Sequence, residues 1–290
     1  MMKILLVILA SLHAIYGFQV GTSHGIVKRS VVVTTLQMAK QHPADGAIHN
    51  NLHRREILSF LSTTTVAALF ALTQPSLAQE EKGKIVVFGG SGYVGAHVDQ
   101  LLANDGYQVV SVSRSSPSDQ ANKVKSILGT VPKMEFITLD ASKDDLTGVL
   151  QGADAVVSCI GAMPGSSNQR DGNGAVNRII ADASKAAGIK RFVYISVASD
   201  LANGPAKFLL GDYFKGKAEA ESAVIKDFAS DARLVVKPAI IAGGPPGEIR
   251  PPGPPGMKPA TVEAVAKVVV AGATGQQSGS IDGNDAIMAF

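Results

Sequence analysis

A doubly wound parallel α/β sheet is the fold that this sequence of 290 residues predicts, and three features carry the prediction. Short apolar runs alternate with helix-patterned segments from Lys82 onward. Those runs are apolar throughout rather than at every second residue, as strands covered on both faces are. The first of them runs directly into a turn with glycines at 89, 92 and 95 and then into a helix.

Each element follows from its local pattern. The first strand, 84–89, is Lys84-Ile85-Val86-Val87-Phe88-Gly89. Gly89 lets the chain turn sharply, Gly92 removes a side chain where backbone must approach an anion, and Gly95 lets the next helix pack closely. That helix, 93–104, offers unpaired N–H groups and the positive end of its dipole. Ser91, Gly92, Tyr93, Val94 and Gly95 line this N-terminal turn. With a second strand at 107–113, the order strand, glycine turn, helix, strand points to dinucleotide binding.

Arg114 follows the second strand, flanked by Ser113, Ser115 and Ser116. An acid there would bond the 2′-hydroxyl of NAD, whereas an Arg among serines suits the 2′-phosphate of NADP. Helices are expected at 119–128, 143–150, 174–187, 213–229 and 260–271, and further strands at 134–139, 154–160, 191–196 and 233–237. Asp140, ending the third strand, has two readings: an acceptor for the adenine amino group, or a cap for the helix that follows. Gly161, closing the fourth strand, leaves bare backbone against the ribose and nicotinamide half. Cys159 lies mid-run among apolar residues and reads as a packing residue.

Tyr213 and Lys217 stand four residues apart on a predicted helix, so the phenol and the ammonium share one face. A Lys beside a phenol stabilises phenolate, which lets the Tyr exchange a proton with a carbonyl or alcohol oxygen. Ser196 and Ser199, just after the fifth strand, are placed to hydrogen-bond the same oxygen. Of the six histidines only His97 lies beyond residue 78, and Cys159 is the lone cysteine, so histidine catalysis, a metal site and an internal disulfide are not expected.

The net charge of +3 divides unevenly. Residues 1–78 carry six Lys/Arg against two acids, leaving 21 basic and 22 acidic residues in the body. Nothing in that body suggests nucleic-acid binding. The first 78 residues read as a three-part targeting leader. Residues 1–17 have the build of a signal peptide and 18–53 that of an acid-poor transit region. Residues 54–78, opening on Arg54-Arg55 and closing on Ser76-Leu77-Ala78, look like a twin-arginine export segment. This order resembles leaders of proteins in plastids of secondary origin. It implies the thylakoid lumen or thylakoid membrane surface, with stromal retention as the alternative.

Taken together, the glycine spacing, Val176-Asn177, the run Ala186–Ser196 and Tyr213-Phe214-Lys215-Gly216-Lys217 resemble the short-chain dehydrogenase/reductase superfamily in its atypical or extended branch. Within it they are most similar to the group around the accessory subunit of respiratory complex I, coenzyme Q biosynthesis and plastoglobule proteins. The resemblance implies a Rossmann fold over 79–290, NADP(H) at the glycine loop and Tyr213 as acid/base. It further implies that Lys217 holds the nicotinamide ribose and that Ser196 or Ser199 orients the substrate. An oxidoreductase of a small hydrophobic carbonyl, quinone or isoprenoid follows, with peripheral association with the thylakoid or plastoglobule membrane. The alternative is a non-catalytic NADPH-binding scaffold or redox sensor of a membrane-associated complex. The Pro/Gly loop at 243–259 reads either as a wall of the substrate cleft or as a surface for a protein partner.

Overall fold

The computed structural model describes residues 82–163, 166–208, 210–247 and 258–290. The leader expected over 1–78 and the centre of the Pro/Gly loop, 248–257, lie outside the described residues. The strands are β1 (Lys82–Phe88), β2 (Tyr107–Ser113), β3 (Glu135–Thr138), β4 (Ala153–Ser158), β5 (Arg191–Ile195), β6 (Arg233–Lys237) and β7 (Gly279–Asp282). They form one parallel sheet in the order β3-β2-β1-β4-β5-β6-β7. The sheet grows outward from β1 in both directions, so the β1/β4 boundary is a topological switch point, where α/β sheets open a crevice beyond their strand ends.

Two helical layers cover it. The longer helices are α1 (Tyr93–Asn104), α2 (Pro117–Leu128), α5 (Ala175–Ala186), α7 (Gly211–Asp227) and α8 (Val262–Thr274); α3 (Thr147–Leu150), α4 (Gln169–Asn173), α6 (Ser199–Asn203) and α9 (Asn284–Met288) are short. Strand side chains alternate between faces. Ile85 and Val87 of β1 pack with Val98 and Leu102 of α1 and Val265, Val268 and Val269 of α8. Val86 and Phe88 face the other way, toward Ile180 of α5 and Ala220 and Val224 of α7. Both faces of the central strands are buried, which is why β1 and β4 carry continuous apolar runs.

Local chemistry sets the helix ends. Ser116 accepts from the Asp119 N–H at 3.2 Å, with Pro117 as the first helical residue of α2, so this helix starts two residues earlier than expected. Over 143–150 only the last turn, α3, is α-helical, because 141–144 form a turn closed by Asp140. The base of the Pro/Gly loop is pinned by a bridge between Ile241 and Ala260 and by Asn284, whose amide donates to the carbonyls of Ile240 and Lys258. Among the described residues no helix is long and apolar enough to cross a membrane.

Candidate functional site

The glycine loop joins β1 to α1 at the switch point. Gly89 has φ +79°, a left-handed conformation that favours glycine, and its N–H continues the ladder to the Val112 carbonyl at 2.8 Å. A Cβ on Gly95 would lie 2.2 Å from the Gly89 carbonyl oxygen, so the close packing expected there is against the loop itself. At Gly92 the nearest atom to such a Cβ is again the Gly89 oxygen, at 3.1 Å, leaving the outer side open. Gly92 caps α1 without a side chain, and no acid occupies the first turn, so Tyr93, Val94 and Gly95 begin a helix whose positive end is uncompensated. Ser91 is buried in the loop, and the Tyr93 hydroxyl donates to the Ala242 carbonyl at 3.3 Å, tying the loop to the base of the Pro/Gly segment. This cradle fits a pyrophosphate.

Arg114 is exposed at the end of β2, where its charge helps to hold the Asp140 carboxyl below its usual range. The larger causes at Asp140 are the hydroxyl and N–H of Ser142, which donate to Oδ1 at 2.6 and 3.1 Å. Asp140 therefore spends one carboxylate oxygen on the turn that follows β3; it does not cap a helix, since α3 begins after Leu146 without a side-chain cap. Lys123, which the sequence did not single out, donates to Ser115 Oγ at 2.8 Å and puts a second cation beside Arg114's strand end. Ser115 and Ser116 are engaged by Lys123 and by the cap of α2.

Beyond β4 and β5 the other half of the site assembles. Cys159 is half-buried, and burial pushes its thiol up, so it stays protonated. Gly161 is exposed, and a Cβ there would meet Asn173 Oδ1 at 3.0 Å and Lys217 Nζ at 3.4 Å. Asn173 Oδ1 is buried without a hydrogen-bond partner. Lys217 is buried: its Nζ donates to the Ile195 carbonyl at 2.8 Å and lies 5.2 Å from the centre of the Tyr194 ring and 6.0 Å from that of Tyr213. Burial lowers its pKa to about 8.

One expectation about the catalytic group needs correction. The phenol of Tyr213 is not lowered: burial pushes it above its ordinary value. The two serines are also committed. Ser196 Oγ donates to Glu221 at 2.8 Å, and Ser199 donates both its N–H and its hydroxyl to Asp282. Lys237 bridges the two carboxylates, at 3.1 Å from Glu221 and 3.5 Å from Asp282. Burial alone would raise Asp282, but the Ser199 bonds and the Lys237 charge outweigh it and hold this carboxyl low. Each serine thus offers a ligand lone pairs only.

Ser196, Ser199, Lys217, Glu221 and Lys237 line a cavity of about 250 Å³ with Val197, Phe214, Ala218 and Ile225 as its apolar walls. Glu221, Lys237 and Asp282 escaped the sequence reading; Glu221 alone left a trace there, standing four residues beyond Lys217 on the same helical face. His97 Nδ1 donates to the Tyr93 carbonyl at 2.8 Å, and its Nε2 faces Glu263. Among the described residues no cluster has metal-ligand character.

A family model described as NAD(P)H-binding matches residues 89–275, from the first loop glycine through α8. The chain belongs to the NAD(P)H-binding family. Its members' dinucleotide fits the Gly89–Gly95 cradle and the unpaired Asn173 oxygen beside Gly161. An uncharacterised chloroplastic protein of Arabidopsis thaliana is 33% identical over 58% of this chain and 53% of its own length. Subunit 9 of the mouse NADH dehydrogenase (ubiquinone) 1 alpha subcomplex is 29% identical over 54% of the chain and 40% of its own. A decarboxylating sterol-4-alpha-carboxylate 3-dehydrogenase of Dictyostelium discoideum is 27% identical over 52% and 50%. The chain thus spans about half the length of these relatives. Among solved structures, an enzyme of Bordetella bronchiseptica in complex with NAD+ covers 69% of the chain and 75% of its own at 19% identity and TM-score 0.53. UDP-glucuronic acid 4-epimerase of Bacillus cereus, with UDP-glucuronic acid and NAD, covers 69% and 77% at 20% identity and TM-score 0.54. At such identities the likeness is one of fold, and it matches the expected Rossmann architecture.

Proposed function

We propose that this NAD(P)H-binding protein is a plastid oxidoreductase that uses NADP(H) and acts on a small, largely apolar carbonyl, quinone or isoprenoid compound. The observation that carries the reading is the meeting of Tyr213, Lys217 and Gly161 beyond the ends of β4 and β5, next to a cavity with apolar walls and a polar floor. Bound dinucleotide would supply or accept the hydride. Lys217 holds the ribose hydroxyls, Tyr213 gives its proton to the substrate oxygen, and Phe214, Val197 and Ile225 exclude water from the apolar body. The Arg114 guanidinium with Lys123 favours the 2′-phosphate. The plastid assignment rests on the three-part leader and on the chloroplastic relative.

A second reading is favoured by one specific observation. Ser196 and Ser199 donate to carboxylates and Tyr213 is held protonated by burial, which suits a protein that binds NADPH for structure or redox sensing. In that role it would stabilise a membrane-associated complex, and the Pro/Gly loop at 243–259 would present the partner surface. Tyr213→Phe separates the two. For an oxidoreductase, turnover with a carbonyl panel falls by about a hundredfold or more while NADPH affinity is retained. Equal turnover in both proteins would remove Tyr213 from the chemistry.

A further inference from the structure

Among the described residues, a fully buried acid without a hydrogen-bond partner lies beneath the glycine loop. Asp99, on the inward face of α1, is fully buried, and neither carboxyl oxygen has a hydrogen bond of ordinary length. Ser111 Oγ on β2, beside it, is likewise unpaired. Both press on the loop from below: a Cβ on Gly90 would lie 2.4 Å from Asp99 Oδ2 and 2.2 Å from Ser111 Oγ. Gly90, which the glycine spacing leaves unexplained, is therefore the contact between the loop and a buried acid.

We propose that Asp99 couples dinucleotide binding to a proton, the protonated acid supporting the pyrophosphate in the loop above it and the carboxylate opposing it. The physical argument is short. A carboxylate here would have only the neutral Ser111 hydroxyl as a neighbouring donor, would be fully buried, and would sit under the loop that must receive two phosphate charges. Burial already raises the acid well above its ordinary value, against a smaller opposing pull from the Ser111 hydroxyl. A pyrophosphate raises it further, so binding draws in a proton, and by linkage the affinity falls as pH rises through the titration. The groups facing Asp99 are few. The loop after β1 offers the Gly90 backbone, β2 the neutral Ser111, and the residue that follows β4 the Cys159 thiol, which burial and then Asp99 itself push up. On α1, His97 turns instead to Glu263 of α8, and Lys217 of α7 acts on Cys159.

The probe is the β-methyl ester of ADP, which carries the pyrophosphate as a diester with no ionisation near neutrality and lacks the nicotinamide ribose that would engage Lys217. Calorimetry from about pH 5 to about pH 9, in buffers of different ionisation enthalpy, counts the protons taken up on binding. The wild type should take up a fractional proton and bind roughly tenfold more weakly above the titration than below it, the loss that one unit of pKa displacement implies. Asp99→Asn should show no uptake and a flat profile, Cys159→Ala should keep both, and Ser111→Ala should move the midpoint upward. Identical profiles for wild type and Asp99→Asn would overturn the coupling while leaving the dinucleotide site intact. Failure of the ADP methyl ester to bind at any pH would overturn both.

Discussion

In the proposed oxidoreductase Lys217 is the pivotal residue, because it is buried and yet required to be charged. In the free protein its pKa is lowered to about 8 by burial, so it loses its proton just above neutrality. Affinity for the nicotinamide half of the cofactor, and kcat/KM with it, should therefore decline as pH rises through about 8. Stability should move the other way. The unfolded lysine keeps its proton up to about 10.5, so the unfolded state holds more protons between these values and the fold gains stability as pH rises across that window. Thermal melts and initial rates over the same pH series check both signs. The Tyr213–Lys217 pair was legible in the sequence because helical spacing of four residues alone puts both on one face. The commitment of Ser199 was not, since Asp282 stands 83 residues away in an edge strand with a single buried-type side chain, Ile281.

At the scale of elements, the loop and helix that make the cofactor cradle are held by close backbone contacts rather than by side chains. Gly95→Val would drive a Cβ into the Gly89 carbonyl, 2.2 Å away, and into Gly90 Cα at 2.7 Å. Urea unfolding should show a loss of about 1–3 kcal/mol, the range for overpacking, together with loss of nucleotide binding. A similar contact lies inside the Tyr-x-x-x-Lys segment: a Cβ on Gly216 would meet the Arg170 carbonyl at 2.4 Å, so α4 rests on bare α7 backbone between the two site residues. The first six strands were readable as apolar runs bounded by turns, the four residues of β3 because Met134 and Leu139 extend the run in sequence. β7 and α9, at four and five residues, have too few positions for any period to show, and α4 and α6 are equally short. Arg114 and Lys123 come from neighbouring elements, β2's end and α2. Arg114→Ala should reduce the preference for NADPH over NADH about tenfold, measured as a ratio of dissociation constants, with little change for NADH.

For the molecule as a whole, the reversal of strand order between β1 and β4 does the positioning. It opens the sheet where the glycine loop, the Gly161 backbone and the Lys217 helix converge, while β6 and β7 extend the sheet to bring Lys237 and Asp282 under the cavity. The glycine order made this architecture legible; the polar floor was not, because it draws one side chain each from α7, β6 and β7. The central claim is that the loop between β1 and α1 binds a dinucleotide, and Gly92→Asp tests it most directly. Position 92 caps α1 with φ −80° and room outside, a setting in which Asp is a good cap, so the variant should fold as well as the wild type. Its carboxylate would stand where the pyrophosphate must sit. The account predicts saturable NADPH fluorescence enhancement in the wild type and none in a folded Gly92→Asp protein. Equal binding by both would contradict it.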